Sequence, residues 1–454
     1  MDGDRILVLL RQKESVDIAF VSVDDGSVQK LKSFPSQIFS RDSRMSLSPD
    51  EQYIALSGIK QKDSQTNSDI HIISADGNTM MPLITHPADD VVLGWSPDGE
   101  HVLFKSDRTG GNSLWAVQVK NGKPDGDPKL IRPAIGDIRP LGLTPEGSLY
   151  FGLYSGWSDI FVSELDPETG EILSPPVMAV KKNQGSNSAP EWSSDGLYLA
   201  CRSSGYISGV GKAMLLISNF RTGEIREVIP ENISGLNFHF IRWSPDGRSI
   251  LGVGFDEKGN YGALVSIETQ TGKSKIIARE NENGIVFQPD WAPDGQSVFF
   301  LRRWENRKIV NHDIDTGEEK GIYDTPHHIL YMTLSPDGKL LAFFAEETVK
   351  ILSTSGGEPR KLIQDKDINS LAWSADGRFL FYGKRRNAKT DIVEVWCIPV
   401  AGGEPQKLDL SMSNLMHLRV HPDGRKIAFT GSLQPATSEI WVMENFLTAI
   451  KDNK

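Results

Sequence analysis

Apolar residues in this chain come in short runs, Ile6-Leu7-Val8-Leu9-Leu10, Ser297-Val298-Phe299-Phe300 and Leu340-Leu341-Ala342-Phe343-Phe344 among them, separated by turn-forming residues. Runs of this length, bounded by Gly, Pro, Asp and Ser, predict β-strands, and no stretch of useful length keeps a helical period. The turns themselves repeat. A phrase written Ser-Pro-Asp-Gly in its cleanest copies places an acid at Asp50, Asp98, Glu146, Asp195, Asp246, Asp294, Asp337, Asp376 and Asp423. Successive acids are 39 to 51 residues apart, with a mean of about 47. Proline precedes the acid in seven of the nine copies and glycine follows it in eight, which is the chemistry of a tight turn.

Each turn sits at the same place in a four-strand unit. Strand A ends at Trp95, Trp192, Trp243, Trp291 or Trp373, replaced by Leu47, Leu143, Leu334 and Val420 in the other copies. Strand B follows the turn, and strand C is a third run such as Leu114-Trp115-Ala116-Val117, Asp159-Ile160-Phe161-Val162 or Val395-Trp396-Cys397-Ile398. A second glycine turn leads to a short strand D, as in Pro359-Arg360-Lys361-Leu362-Ile363. Four antiparallel strands at a period of about 45 residues are a propeller blade. The expected fold is therefore all-β, a β-propeller of four-stranded antiparallel blades with about nine to ten repeats. Residues 1–454 read as one continuous array, with a partial blade at 1–34 and a final incomplete blade at 415–446. One large ring, two tandem propellers and a cut from a longer array all remain open. A blade shared between the two termini fits poorly, because both fragments supply strands B and C.

Composition narrows the function. The 454 residues carry a net charge of −11, which argues against a general nucleic-acid binder. The two cysteines, Cys201 and Cys397, exclude a disulfide scaffold or a Cys-rich metal site. The apolar run at Ile6–Leu10 is far short of a signal segment or a membrane span, so the chain as given carries no export signal and no membrane span is expected. Catalytic motifs are missing as well. The surroundings of Ser155 and Ser208 do not have nucleophile-elbow spacing, Gly211-Lys212 lacks the rest of a phosphate loop, and His327-His328 has no partner at metal spacing. No catalytic residue, metal or cofactor is assigned.

The Trp-Ser-Pro-Asp-Gly phrase, the Ser106-Asp107-Arg108-Thr109-Gly110 loop and the Ile-Trp/Phe-Val third strand resemble the TolB-type, WD-repeat-like β-propeller family. The resemblance covers nearly the whole chain and implies a periplasmic protein-interaction module. In related bacterial chains it implies the sensor end of an envelope protein. A chain that is complete as given would instead be cytoplasmic. Such propellers also precede prolyl oligopeptidase-like domains, where the resemblance implies a substrate gate. A propeller lyase or hydrolase acting on saccharide in the central channel is the other enzymatic alternative, and it requires an acid-base or metal cluster at the axis.

The A-B and C-D turns share one face of a propeller and are monotonous here, whereas the B-C and D-A loops share the other and vary. Recognition is expected on that second rim. Eight of the ten tryptophans sit at repeat positions; Trp157 and Trp304 do not, and with Tyr154, Arg302 and Arg303 they form either an aromatic platform or a cover folded back over their blades. Arg302, Arg303, Arg307 and Lys308 crowd one B-C loop, and Lys384, Arg385, Arg386 and Lys389 another two blades on. This basic sector in an acidic chain is expected to receive a protein partner, anionic, or a polysaccharide. Just before the tryptophan position, Glu191, Arg242 and Asp290 alternate in charge over three adjacent blades, an arrangement expected to form inter-blade ion pairs near the axis.

Overall fold

The computed structural model describes residues 3–12, 15–36, 39–61, 64–109, 112–136, 138–155, 158–180, 186–203, 214–231, 233, 235–255, 261–279, 286–302, 307–387, 390–433 and 437–447. Among these the strands pair into nine antiparallel sheets. Their contacts divide the chain into two units, one of Met1–Ser155 with Thr437–Lys454 and one of Gly156–Gly205 with Lys212–Ala436.

The repeated turn explains its own sequence. In the copy at Asp246, Ser244 Oγ donates to Asp246 Oδ1 at 2.6 Å, and the same carboxylate oxygen accepts from Arg248 N at 3.0 Å. Ser244 Oγ in turn accepts from Ser249 N at 3.0 Å, so one hydroxyl and one carboxylate satisfy the donors of the hairpin end. Gly247 sits at φ 70°, where a side chain would be strained, and its N–H closes the turn on Ser244 O at 2.9 Å. The copies at Asp50, Asp98, Asp195, Asp337 and Asp376 repeat the serine-to-aspartate bond. Asp294 and Asp423 accept from Gln296 N and Arg425 N in the same way, so the acids of eight copies are turn-builders rather than a catalytic array.

In the second unit, six blades close a ring. Blade 1 comprises Asn187–Trp192, Tyr198–Ser203, Met214–Asn219 and Ile225–Val228; blade 2 comprises Gly235–Trp243, Ser249–Phe255, Tyr261–Glu268 and Ser274–Ala278. Blade 3 comprises Val286–Trp291, Ser297–Arg302, Arg307–Asp313 and Glu319–Thr325; blade 4 comprises Leu330–Leu334, Leu340–Ala345, Thr348–Ser353 and Arg360–Gln364. Blade 5 is Ile368–Trp373, Phe379–Arg385, Ile392–Pro399 and the first half of the long strand Gln406–Val420. The second half of that strand begins blade 6, followed by Lys426–Ser432, and the blade is completed by Asp159–Glu164 and Val177–Met178. The closing blade therefore takes strands A and B from one end of the unit and C and D from the other. Blade 6 then meets blade 1, where Thr430 Oγ1 accepts from Ala189 N at 3.1 Å and His421 Nε2 donates to Gly196 O at 3.0 Å. The blades stack through apolar faces; Phe300, Phe343, Tyr382 and Phe429 recur at equivalent strand-B positions and are fully buried. Each such side chain is worth about 1.5–3 kcal/mol of transfer free energy.

The first unit holds four blades. Arg5–Arg11, Ser15–Ser22 and Val28–Pro35 form a three-stranded sheet, and Phe39–Leu47, Tyr53–Gln61, Ser64–Ser74 and Met80–Ile84 a four-stranded one. The next has Asp90–Trp95, His101–Ser106 and Ser113–Lys120, with Lys123–Pro124 and Lys129–Arg132 both paired to the last of these. The fourth has Ile138–Leu143, Leu149–Ser155 and, returning from the far end of the chain, Thr437–Met443.

Here the pairing departs from the contiguous reading. Residues 415–446 do not form a blade by themselves: strand Lys426–Ser432 pairs with Asp159–Glu164, and Thr437–Met443 pairs with Leu149–Ser155. Strands of the same blade position are interchangeable by hydrophobic pattern, and closing six blades into a ring decides the exchange.

Candidate functional site

The axis of the six-bladed ring is built from the residue just before the tryptophan position of each strand A: Glu191, Arg242, Asp290, Thr333, Ala372 and Arg419. Arg242 lies between the two acids, its Nη1 3.3 Å from Glu191 Oε2 and its Nε 3.3 Å from Asp290 Oδ1. Arg419 Nε binds the same Glu191 oxygen from the opposite side, across the closing junction. Backbone groups take up remaining capacity: Arg242 Nη1 donates to Ile241 O at 2.8 Å, Arg419 Nη1 to Leu418 O at 2.6 Å, and Asp290 Oδ2 accepts from Leu334 N at 3.0 Å. Burial pushes the Glu191 carboxyl up, against the pull of Arg419 and Arg242, and pushes the Arg419 guanidinium down. The result is two cations and two anions locked together, with no net charge. Arg419 escaped the sequence reading because its blade has Val420 in place of tryptophan; extending the register through the three remaining repeats finds it.

Near this layer on the same strands lie the aromatic rings of Phe240, Phe287 and His417. Phe240 packs edge-on to Phe287 at 5.0 Å and to His417 at 6.1 Å. His417 belongs to blade 6 and Phe240 to blade 2, and the intervening blade 1 carries only Ala189 at this level. His417 Nδ1 is 3.1 Å from Thr430 Oγ1.

The rim is less basic than its sequence suggests. Arg302 is buried at 5% exposure and bound to Glu319, Nε to Oε2 at 3.1 Å, so it is not available on a surface. Lys308 pairs with Asp324 at 3.3 Å, Lys384 with Asp365 at 2.6 Å while lying over the Trp396 ring, and Arg386 with Glu394 at 2.7 Å. Arg307 donates to Pro326 O and lies 2.8 Å from His328 Nε2. Of the candidate cations that are described, Arg385 is exposed without a carboxylate partner. Trp157, Arg303, Trp304 and Lys389 lie outside the described residues, as does the side chain of Tyr154. Between the two crowded loops, Glu346 and Glu347 both adopt positive φ, 53° and 56°, at the tip of the blade 4 hairpin. Glu346 is bound by Lys350 and by His327 Nε2 at 3.0 Å.

For a metal, one group among the described residues, Asp98, Glu100 and His101, has donor atoms within 4.8 Å of one another. Asp98 is already engaged by Ser96 Oγ and Glu100 N in its turn.

Comparison with known proteins agrees with the repeat. No family model matches. The WD repeat-containing protein WDS homolog of Arabidopsis thaliana is 23% identical over 259 residues, 56% of this chain and 47% of that protein. The Tol-Pal system protein TolB of Alcanivorax borkumensis is 39% identical over 56 residues, 12% of each. The chain thus spans less than half the length of these relatives. Among solved structures, the putative TolB from Agrobacterium tumefaciens aligns with a TM-score of 0.50 and 18% identity, covering 62% of this chain and 99% of that one, a likeness of fold.

Proposed function

From the premise that this chain is built of TolB-type, WD-repeat-like β-propeller repeats, we propose a noncatalytic scaffold that binds a protein partner on the B-C and D-A loop rim of its six-bladed ring. The observation that carries this reading is the axial quartet. A channel lyase or hydrolase needs an acid or base free to exchange a proton with substrate. Glu191 and Asp290 are instead held by arginines that are themselves held in place, so their lone pairs serve the ring. What is left for recognition is the rim, where loop length and charge differ from blade to blade. Among the described residues of the rim Arg385 is exposed and has no carboxylate partner, and an acidic partner surface is its natural complement. An extracytoplasmic setting, in or attached to a bacterial envelope protein, belongs to the same proposal.

Pull-down from a bacterial envelope extract tests it, with wild type compared against Arg385→Glu and against a Trp157→Ala/Trp304→Ala double variant. One specific protein should be captured by wild type, released more readily as salt rises, and lost with the charge reversal. An identical set of proteins on all three baits, with the same salt dependence, sinks the rim reading.

A further inference from the structure

The fourth blade of the first unit stops one strand short. Its strands Ile138–Leu143, Leu149–Ser155 and Thr437–Met443 pair in that order, so the last of them, at the strand C position, has an outer edge with no strand on it among the described residues. Its equivalents are covered. Trp115 and Trp396 pair with Leu130 and Lys407 of a fourth strand, whereas Trp441 is 51% exposed, with Ile440 at 74% and Val442 at 42%. The described chain beyond Met443 folds back toward the A-B turn instead of covering this edge: Phe446 is buried with Leu149 and Phe151, and Leu447 Cδ1 fills the space beside Gly147.

The other blades guard their outer strands. Lysine or arginine stands on Val28–Pro35, Lys129–Arg132, Ile225–Val228, Ser274–Ala278, Glu319–Thr325, Arg360–Gln364 and the first half of Gln406–Val420. Pro82 interrupts Met80–Ile84, and Val177–Met178 is only two residues long. Charge, proline and shortness all keep a sheet edge from pairing with another chain. Thr437–Met443 has seven residues and none of these cations or prolines, and its single acid, Glu439, accepts from Trp441 Nε1 at 2.7 Å.

We propose that this edge pairs, antiparallel, with the same edge of a second copy of the chain, joining the two incomplete blades into one sheet across a two-fold axis. The sequence assigns the occupant. Ile440 and Val442 flank Trp441, so with Trp441 on the axis each Ile440 faces a Val442 and the two Trp441 lie opposite one another. Glu439 then meets Met443 rather than a second acid, and like charges are not opposed. Tyr150, paired with Val442 and 43% exposed, extends the apolar strip on the same face. A strand-to-strand contact is smaller than the roughly 800 Å² per partner of a standard interface, so a dimer that dissociates at micromolar concentration is expected. Each copy carries a net charge of −11, so the dimer should tighten as salt screens the repulsion, opposite to the salt dependence of the rim partner. The edge is separate from the rim of the six-bladed ring, so the two readings can fail independently.

The test is sedimentation of the full chain over a series of concentrations, with hydrogen exchange read on the segment Ile440–Val442. Wild type should pass from monomer to dimer, and these amides should be protected only in the dimer. Ile440→Lys, at an exposed position, should weaken the dimer at least about tenfold and leave the unfolding midpoint of the monomer unchanged. Arg385→Glu should dimerise as wild type does. Trp441→Cys should give an intermolecular disulfide on mild oxidation, because opposed residues of antiparallel strands come within reach and the native Cys201 and Cys397 are buried. A monomer at every concentration, or a dimer that Ile440→Lys leaves intact, overturns the proposal. Amide protection that does not change on dilution overturns it too, since the chain then covers its own edge. So does assembly beyond the dimer without the Trp441→Cys cross-link, which makes the open edge of Arg5–Arg11 the partner.

Discussion

Trp243 and Trp291 occupy the same repeat position in neighbouring blades and differ in one bond. Trp243 Nε1 donates to Glu191 O of the preceding blade at 3.1 Å, as Trp373 does to Thr333 O at 3.2 Å, while Trp291 Nε1 finds no acceptor. The tryptophan of this phrase is therefore an inter-blade staple as well as a packing residue, which the sequence shows only as a recurring letter. Trp243→Phe should cost about 1–2 kcal/mol in urea unfolding, and Trp291→Phe clearly less, since it removes a buried N–H that is already unsatisfied. Arg419 has a comparable role across the closing junction. Arg419→Ala leaves Glu191 with Arg242 alone, and a loss of about 2 kcal/mol is expected, smaller than for a pair stripped of every partner. Asp90 shows the other side of burial: with Arg108 Nη2 at 2.9 Å, its carboxyl is still pushed up to about 6, chiefly by desolvation. A raised acid stabilises the fold at low pH and loses that contribution as pH rises through 6, so Asp90→Asn should flatten any gain in unfolding midpoint between pH 7 and pH 5.

At the scale of elements, the hairpins were readable because turn chemistry is local. The Ser-Pro-Asp-Gly phrase names the donor, the acceptor and the positive-φ residue within a few positions, and the structure contains all three. The same locality makes a pH prediction. Ser244 Oγ and Arg248 N hold the Asp246 carboxyl below its ordinary 3.8, and Asp195 and Asp337 are lowered in the same way by Ser193 and Ser335. A depressed carboxyl contributes stability above 3.8 and loses it as pH falls through the folded value, so the urea midpoint should drop steeply below about pH 4, and less steeply in Ser244→Ala. Charge on the rim was not readable in this way. Counting Arg302, Lys384 and Arg386 finds a basic sector, but Glu319, Asp365 and Glu394, which neutralise them, are brought near by strand pairing and loop return rather than by sequence spacing. The field at these three side chains is therefore weaker than their count implies.

For the whole molecule, the blade type and approximate number follow from the repeat, and the closure does not. Ile160-Phe161-Val162 and Ile440-Trp441-Val442 are equivalent strand-C sequences, and each could complete either unfinished sheet by pattern alone. The structure gives the first to the six-bladed ring and the second to the other unit, so the ring is an insertion between Ser155 and Thr437 whose last blade is assembled from both of its ends. The Arg419–Glu191 pair and the filled axis exist only if blade 6 meets blade 1. Glu164 and Lys426 lie directly opposite one another in the closing blade. Cysteines placed at these two positions are the most direct probe, because paired residues of antiparallel strands come within disulfide reach. Mild oxidation of the Glu164→Cys/Lys426→Cys chain should give near-complete intramolecular cross-linking with cooperative unfolding retained. A chain that stays reduced at both positions while folding normally would contradict the closed, composite ring.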